Sequence, residues 1–423
     1  MAIRHRATTD LAGHYTPSPD LPNTSHTRFY GAIAQHDVFR RLWTSAVVSS
    51  IGQWMQSVAL GWLAIVLTNS PAFVGIVTFS AGVPFLVVAP LGGSLIDRFD
   101  RRRLMLICQM LAFVLAMALA FDVIAGLVQP WHLPIAAFLN GTLQALLSPT
   151  QQSLVPALVP RHDLTNAVGL MSAGMNLSRV AGPSVAGIVI GTVGIGETFL
   201  IQALAIAVSF ALVLGIVLPP RPSGGVSKSG VFDGIRLVAT EADLRGLFLL
   251  AAIPTLLVFP YIGFLNVFAR DILDIGAQGL GLLMAVSGSG AVVGSLLVAS
   301  QRRSEGVGRL LITMTIIYGF VILGVSLSRS LWITLPLIFC GGFLGSATMS
   351  GNNAVLQHRV SDEYRGRVMG AYMLTWGLMP LGALPMGIMA DHFGTPTAVA
   401  TGAILSSGCA AILGFRSRTL REI

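Results

Sequence analysis

The chain has 423 residues, of which 54% are hydrophobic and only 10% charged, and its mean hydropathy is +0.76. Soluble domains carry roughly 25% charged residues, so a water-soluble globule is excluded and a polytopic membrane protein is implied. The formal net charge of +8 suggests nucleic acid at first sight, but the basic residues fall in alternate loops between apolar runs, which is an insertion pattern, and no nucleic-acid partner is expected.

Residues 1–37 are rich in His, Thr, Pro and Asp and contain no apolar core, so they read as a disordered tail and not as a signal peptide. From Leu42 to Ile96 there is no Asp, Glu, Lys or Arg. Breaking the apolar sequence at charges, Pro-Gly clusters and polar turns predicts twelve spans, at 40–68, 71–96, 104–128, 132–157, 164–192, 196–219, 246–269, 276–301, 308–328, 331–357, 367–391 and 395–415. These lengths suit helices, which need ~20 residues to cross a ~30 Å hydrocarbon core. The runs do not alternate apolar and polar residues with a period of two, so a strand barrel is excluded.

Sidedness follows from the cations. Arg270 and Arg329 lie in loops on one side and Arg179 lies inside a span, while the other Arg residues and Lys228 lie in the tails and in the loops of the opposite side. Basic loops face the cytoplasm, so both termini are expected to be cytoplasmic and the number of spans even. The break after Pro219 begins with Pro-Pro-Arg-Pro-Ser-Gly-Gly and ends in Val231-Phe232-Asp233-Gly234-Ile235-Arg236, a linker followed by a short interfacial helix. It divides the chain into a tail (1–37), a first six-helix bundle (38–219), a linker (220–245), a second bundle (246–415) and a short cytoplasmic tail (416–423). A six-plus-six repeat with a central linker is the plan of many secondary transporters, whose substrate site lies between the halves.

Cys108, Cys340 and Cys409 sit singly in apolar runs and read as packing residues, and no metal or cofactor is expected. The acids are scattered and paired with Arg, which argues against a membrane enzyme, and the absence of a P-loop disfavours an ATP-driven pump.

Between the second and third spans stands Gly93-Ser94-Leu95-Ile96-Asp97-Arg98-Phe99-Asp100-Arg101-Arg102. This stretch resembles the signature Gly-x-Leu-x-Asp-Arg-x-Gly-Arg-Arg of the major facilitator superfamily, with Asp100 standing where the family usually has Gly. In the fifth span, Arg179-Val180-Ala181-Gly182-Pro183-Ser184-Val185-Ala186-Gly187 is similar to the family's antiporter signature Gly-Pro-x-x-Gly-Gly, with Ala186 replacing a Gly. The stretch from Asp362 to Gly370, continuing through Gly377-Leu378-Met379-Pro380, looks like the branch of enterobactin-exporter-like and drug efflux proteins. The resemblance covers about residues 40 to 415. It implies an all-α integral membrane protein of twelve transmembrane helices in two six-helix halves, exporting a small amphipathic compound by alternating access in exchange for protons.

Site residues follow from periodicity and from the resemblance together. Ser45, Ser49, Gln53 and Gln56 share a face of the first span, and Asn140, Gln144 and Gln151 share a face of the fourth. Polar groups at membrane depth face a bundle interior or a watery cavity. In the family these two helices line the central cavity. Trp54, Tyr261, Asn352 and Asn353, with Met55, Phe259 and Met349, would add aromatic and soft surface, and interhelical hydrogen bonding remains an alternative for each polar residue.

Asp97 sits at the negative end of the second helix and needs a cationic partner, for which Arg98, Arg101, Arg102, Arg365 and Arg367 are available. The resemblance implies that Asp97 latches the halves together. Gly182, Gly187 and Gly191, with Gly290 and Gly294, form small-residue strips that serve either a sliding seam between halves, with Pro183 beside it, or packing within one half. Arg179 and Asp122 are charges within spans and are the candidates for proton coupling, which the resemblance implies. Uptake by a symporter of the same fold is the competing function. A cavity acid or a basic clamp for sugar or carboxylate would favour it, and neither is evident in the sequence.

Overall fold

The computed structural model describes residues 31–98, 100–216, 231–300 and 306–422, with side chains excepted at 89–98, 231–235, 242, 299, 300, 362, 363, 365, 366, 373 and 376. Every regular element among them is helical. A short helix α1 (Gly31–Gln35) leads into α2 (Asp37–Thr68), α3 (Pro71–Arg98), α4 (Arg101–Ile124), α5 (His132–Leu158), α6 (Leu164–Thr192) and α7 (Ile195–Leu214). The interfacial helix α8 (Val231–Thr240) then precedes α9 (Ala242–Leu257) and α10 (Tyr261–Val267), which continues as a π-helical turn over Phe268–Ile272. After it come α11 (Gly276–Ser300), α12 (Val307–Leu327), α13 (Leu331–Arg359), α14 (Asp362–Met373), a 3-10 turn at Leu374–Gly377, α15 (Leu378–Phe393), α16 (Thr395–Arg416) and α17 (Arg418–Glu422).

Among the described residues, nine helical segments are long and apolar enough to cross a membrane, and 132–158, 164–192 and 362–393 add three more rods of comparable length. Together they make the twelve-rod layout. Of the stretch read as tail, 1–30 lies outside the described residues and Gly31–Gln35 is helical, because α1 is anchored: Ala32 is buried and its N–H donates to Asn166 Oδ1 at 3.1 Å.

Two rods expected to be continuous are broken. The seventh, predicted at 246–269, changes direction at 258–260, between α9 and α10. Proline supplies the reason: Pro260 has no N–H to donate to the carbonyl of Leu256 four residues back. Gly382 closes on that freed oxygen, where an added Cβ would come within 1.8 Å of it. The eleventh rod, predicted at 367–391, tightens into a 3-10 turn ending at Gly377, three residues before Pro380.

The packing pairs reveal two halves. Within the first, α2 packs on α6 and α7, α4 on α7 and α3 on α5. Within the second, α11 packs on α13 and α12 on α16. Between the halves, α6 packs on α11 and α3 on α15. Large apolar side chains such as Phe121, Leu204, Leu296, Trp332 and Phe415 are exposed, as expected where lipid rather than water is the solvent.

Asp100, the departure from the superfamily signature, has a structural role. Its backbone lies at φ −63 and ψ 121, so glycine's freedom is not needed there, and its carboxylate accepts from Arg103 N–H at 2.8 Å as the N-cap of α4. Asp100→Ala is expected to lower the stability of the detergent-solubilised protein by ~1 kcal/mol, and Asp100→Gly by only a few tenths. Thermal unfolding followed by size-exclusion fluorescence checks the order of the two.

Candidate functional site: a cavity between the halves

The turns at Asp100, 159–163, Gly306 and 360–361 lie at one end of the rods, the basic face by the sequence, and those at 69–70, 125–131, 193–194, 273–275, 328–330 and 394 define the far face. At the far face the halves are in close contact. Gly187 of α6 meets α11 so tightly that a Cβ would lie 2.7 Å from both the Ala277 carbonyl oxygen and Gly281 Cα. Gly75 of α3 meets α15 in the same way, 2.8 Å from Ala383 O and 3.1 Å from Gly387 Cα. These two crossings pair the second rod with the eleventh and the fifth with the eighth, as a twofold relation between the halves requires.

Polar contacts lock the same face. Arg270, at the end of the seventh rod, donates to the carbonyl of Ile65 and to Asn69 Oδ1 at the end of α2, and its Nε pairs with Asp271 at 2.5 Å. Asp391, at the end of α15, accepts from Ser70 Oγ at 2.7 Å and from Ala72 N–H at 3.4 Å. The first contact sets a cation on the carbonyl end of a helix and the second an anion at a helix N-terminus, both favoured by the helix dipoles.

Towards the middle of the rods the halves separate around a cavity lined by Trp54 of α2, Arg179 and Pro183 of α6, Ile262 and Leu265 of α10, and Met284, Ser287 and Gly288 of α11. Four rods from two halves thus contribute to one wall. Pro183 shapes it twice: it presents its ring, and it lacks the N–H that would bond the Arg179 carbonyl, so a free backbone acceptor lies beside Gly288, whose Cβ would sit 3.2 Å away. The guanidinium of Arg179 lies 5.9 Å from the centre of the Trp54 ring, in cation–π range. Tyr261 and Tyr318, both buried, are close enough to feel its charge. The enclosed space is only about 20 Å3, room for about one water molecule, so any cargo needs the halves to part.

Other residues predicted for the cavity lie elsewhere. Gln56 is buried and its Oε1 accepts from Gln202 Nε2 at 2.9 Å, which ties α2 to α7 inside the first half. Ser45 belongs to the same seam: its hydroxyl is 2.7 Å from that of Ser209, which accepts from Gln109 Nε2 at 2.7 Å. The periodicity of that stripe is therefore the signature of an interhelical polar seam. Asn352 is fully buried and donates to the Leu247 carbonyl at 2.8 Å, joining α13 to α9, and Asn353 accepts from Gln357 one turn on. Gln53, Asn140 and Gln144 are partly buried and are not among the residues lining the Arg179 cavity.

The gating residues divide similarly. The side chains of Asp97 and Arg98 lie outside the described residues. Arg101 donates to Ser153 O at 2.8 Å and Arg102 to Leu214 O at 2.6 Å, so among the described residues both bond the base of the first half. Gly182 receives Trp54 and Ile51 of α2, and Gly290 and Gly294 receive the backbone of α13, all within one half, whereas Gly187 and Gly191 face α11 across the interface. The two proton-coupling candidates do not meet. Asp122 is 2.6 Å from His132 Nδ1, joining the far ends of α4 and α5, and is not part of the Arg179 cavity.

Comparison with known proteins agrees with this arrangement. The family model described as transmembrane secretion effector matches residues 31–422. The chain belongs to the major facilitator superfamily, in this secretion-effector family. Among its relatives, a staphyloferrin A transporter of Staphylococcus aureus is 25% identical over 83% of this chain and 89% of its own length. The multidrug efflux pump Tap of Mycolicibacterium fortuitum is 25% identical over 83% and 88%, and macrolide efflux protein A of Streptococcus pyogenes 24% identical over 83% and 87%. Among solved structures, the nucleoside transporter NupG superposes with a TM-score of 0.75 at 14% identity, covering 90% of this chain and 100% of its own. A bacterial homolog of the lysosomal transporter Spinster, inward-facing and occupied, gives 0.74 at 16% identity over 90% and 97%. These likenesses establish the fold. The chain is a multi-pass membrane transporter.

Proposed function

We propose that the protein is a secondary active exporter that moves a small amphipathic compound of drug or siderophore type by alternating access. It works as a monomer in a bacterial cytoplasmic membrane, with both termini cytoplasmic and the basic face inward. The observation that carries the reading is the cavity at Trp54, Arg179 and Pro183, walled by both halves, below a far face closed by glycine crossings and by Arg270 and Asp391. A binding site at the interface of two bodies is what exposure to one side and then the other requires. Export as the direction is supported by relatives that are efflux pumps.

The wall of aromatic ring, proline, aliphatic and Met side chains suits an amphipathic cargo, because such surfaces repack around different shapes. Proton exchange is the proposed energy source. The residues proposed for it are Arg179, whose charge lies at the cavity, and Asp122, which is hydrogen-bonded to His132 between α4 and α5. Uptake by a symporter of this fold is a second reading, since the unpaired cation in the cavity would bind an anion from either side.

Accumulation of a panel of labelled drugs and siderophores in cells with and without the protein tests direction. Lower accumulation with the protein supports export, and higher accumulation overturns it. Collapsing the pH gradient while holding the membrane potential is expected to stop export, and export that persists would refute proton exchange.

A further inference from the structure

Arg179 makes no hydrogen bond and no ion pair among the described residues. Its one specific contact is the face of Trp54, and its electrostatic neighbours are the tyrosines 261 and 318, which carry no opposite charge. It lies in the interior of α6, about 15 residues from the start of that helix or roughly 20 Å along it at ~1.5 Å per residue, so it cannot reach the aqueous face as a terminal Arg does. A cation at membrane depth costs several kcal/mol unless it is paired, and the cation–π contact returns only ~0.5–2 kcal/mol of that. The residues that line the cavity include no Asp or Glu. The site therefore has one uncompensated positive charge, free guanidinium donors, the Ser287 hydroxyl and apolar walls.

We propose that Arg179 is the recognition point for a carboxylate on the cargo, so that the transported compound is an amphipathic carboxylate whose ionised group pairs with the guanidinium while its apolar body lies against Trp54, Leu265 and Met284. Resting on the transport reading above, this names the cargo class. The planar fork of Arg matches a carboxylate with two parallel N–H···O bonds. Cargo binding then removes the cost of the bare charge, and the loaded carrier crosses between states more easily than the empty one. Anion recognition does not set direction. A carrier can bind a carboxylate from either side, so the accumulation experiment decides export or uptake separately.

Equilibrium binding of carboxyfluorescein, an amphipathic polycarboxylate, and of rhodamine 6G, a cation of similar aromatic size, to the purified full chain in detergent tests the proposal by fluorescence anisotropy. Wild type is expected to bind carboxyfluorescein at least tenfold more tightly than rhodamine 6G. Arg179→Gln is expected to weaken carboxyfluorescein about 10- to 100-fold, the range for a hydrogen bond to a charged group, without weakening rhodamine 6G. Arg179→Lys is expected to recover part of the loss, because it restores the charge without the fork. Unchanged carboxyfluorescein binding in Arg179→Gln, or a wild type that prefers rhodamine 6G or does not bind carboxyfluorescein, overturns the proposal. The wild-type preference needs no variant, so misfolding of Arg179→Gln does not decide the outcome. Because binding in detergent has no direction, failure here leaves the exporter reading standing.

Discussion

Gly187→Val is expected to reduce transport at least about tenfold while leaving the protein folded and abundant. The Cβ it adds would lie 2.7 Å from the Ala277 carbonyl oxygen and from Gly281 Cα, both main-chain atoms of the opposing helix that cannot rotate away as a side chain can. Overpacking of this kind costs ~1–3 kcal/mol, enough to shift a balance between two states by about ten- to a hundredfold. It is borne only when the far face is shut, since α6 and α11 belong to different halves. Gly290→Val provides the contrast. Its clash is with Phe339 O and the backbone of α13 inside the second half, so it is present in every state and is expected to lower stability and yield instead. Transport per folded molecule, measured beside thermal stability for both variants, separates them.

The second large effect is expected at the far-face polar contacts. Arg270→Glu removes the donors to the Ile65 carbonyl and Asn69, and puts a carboxylate beside Asp271 and the carbonyl end of α2. Asp391→Ala removes the acceptor for the Ser70 hydroxyl and for the Ala72 N–H in the first turn of α3. Each partly exposed contact is worth ~0.5–1.5 kcal/mol, and charge reversal adds repulsion. Together the two changes are expected to raise labelling of a cysteine placed on the far side of the cavity by roughly tenfold or more. Unchanged labelling would show that the glycine crossings alone hold this face shut.

Much of the architecture was legible in the sequence because a bilayer imposes a simple rule, that a charge-poor run of helical length must cross. That rule located the rods and the interfacial helix at 231–240. It missed the breaks at 258–260 and 374–377, because the apolar pattern passes through Pro260 and Gly377 without interruption while the hydrogen-bond ladder does not. The cavity was harder. Helical periodicity places Ser45, Ser49 and Gln56 on one face but is silent on whether that face meets water or another helix, and the polar groups of Gln202, Ser209 and Gln109 that receive it lie far away in sequence. Arg179 was found because a charge within an apolar run is conspicuous, yet its place in the cavity beside Trp54 depends on how two helices cross. Arg270 reads in the sequence as an ordinary loop charge, and Asp391 as an acid at the outer edge of the eleventh span. What marks them is their position at helix ends that face each other across the halves, which only the assembled fold reveals.

The central claim is that the cavity at Trp54, Arg179 and Met284 is a transport site open to one side at a time. Its most direct measurement is side-specific labelling of Met284→Cys in a chain whose Cys108, Cys340 and Cys409 have been replaced, using a membrane-impermeant maleimide on membrane vesicles of either orientation. The account predicts that the thiol reacts from the basic face when the far face is shut, reacts from the far face when Arg270→Glu and Asp391→Ala open it, and is protected by transported cargo in both cases. A thiol that reacts equally from both faces in the otherwise unchanged chain, or that transported cargo does not protect, would contradict it.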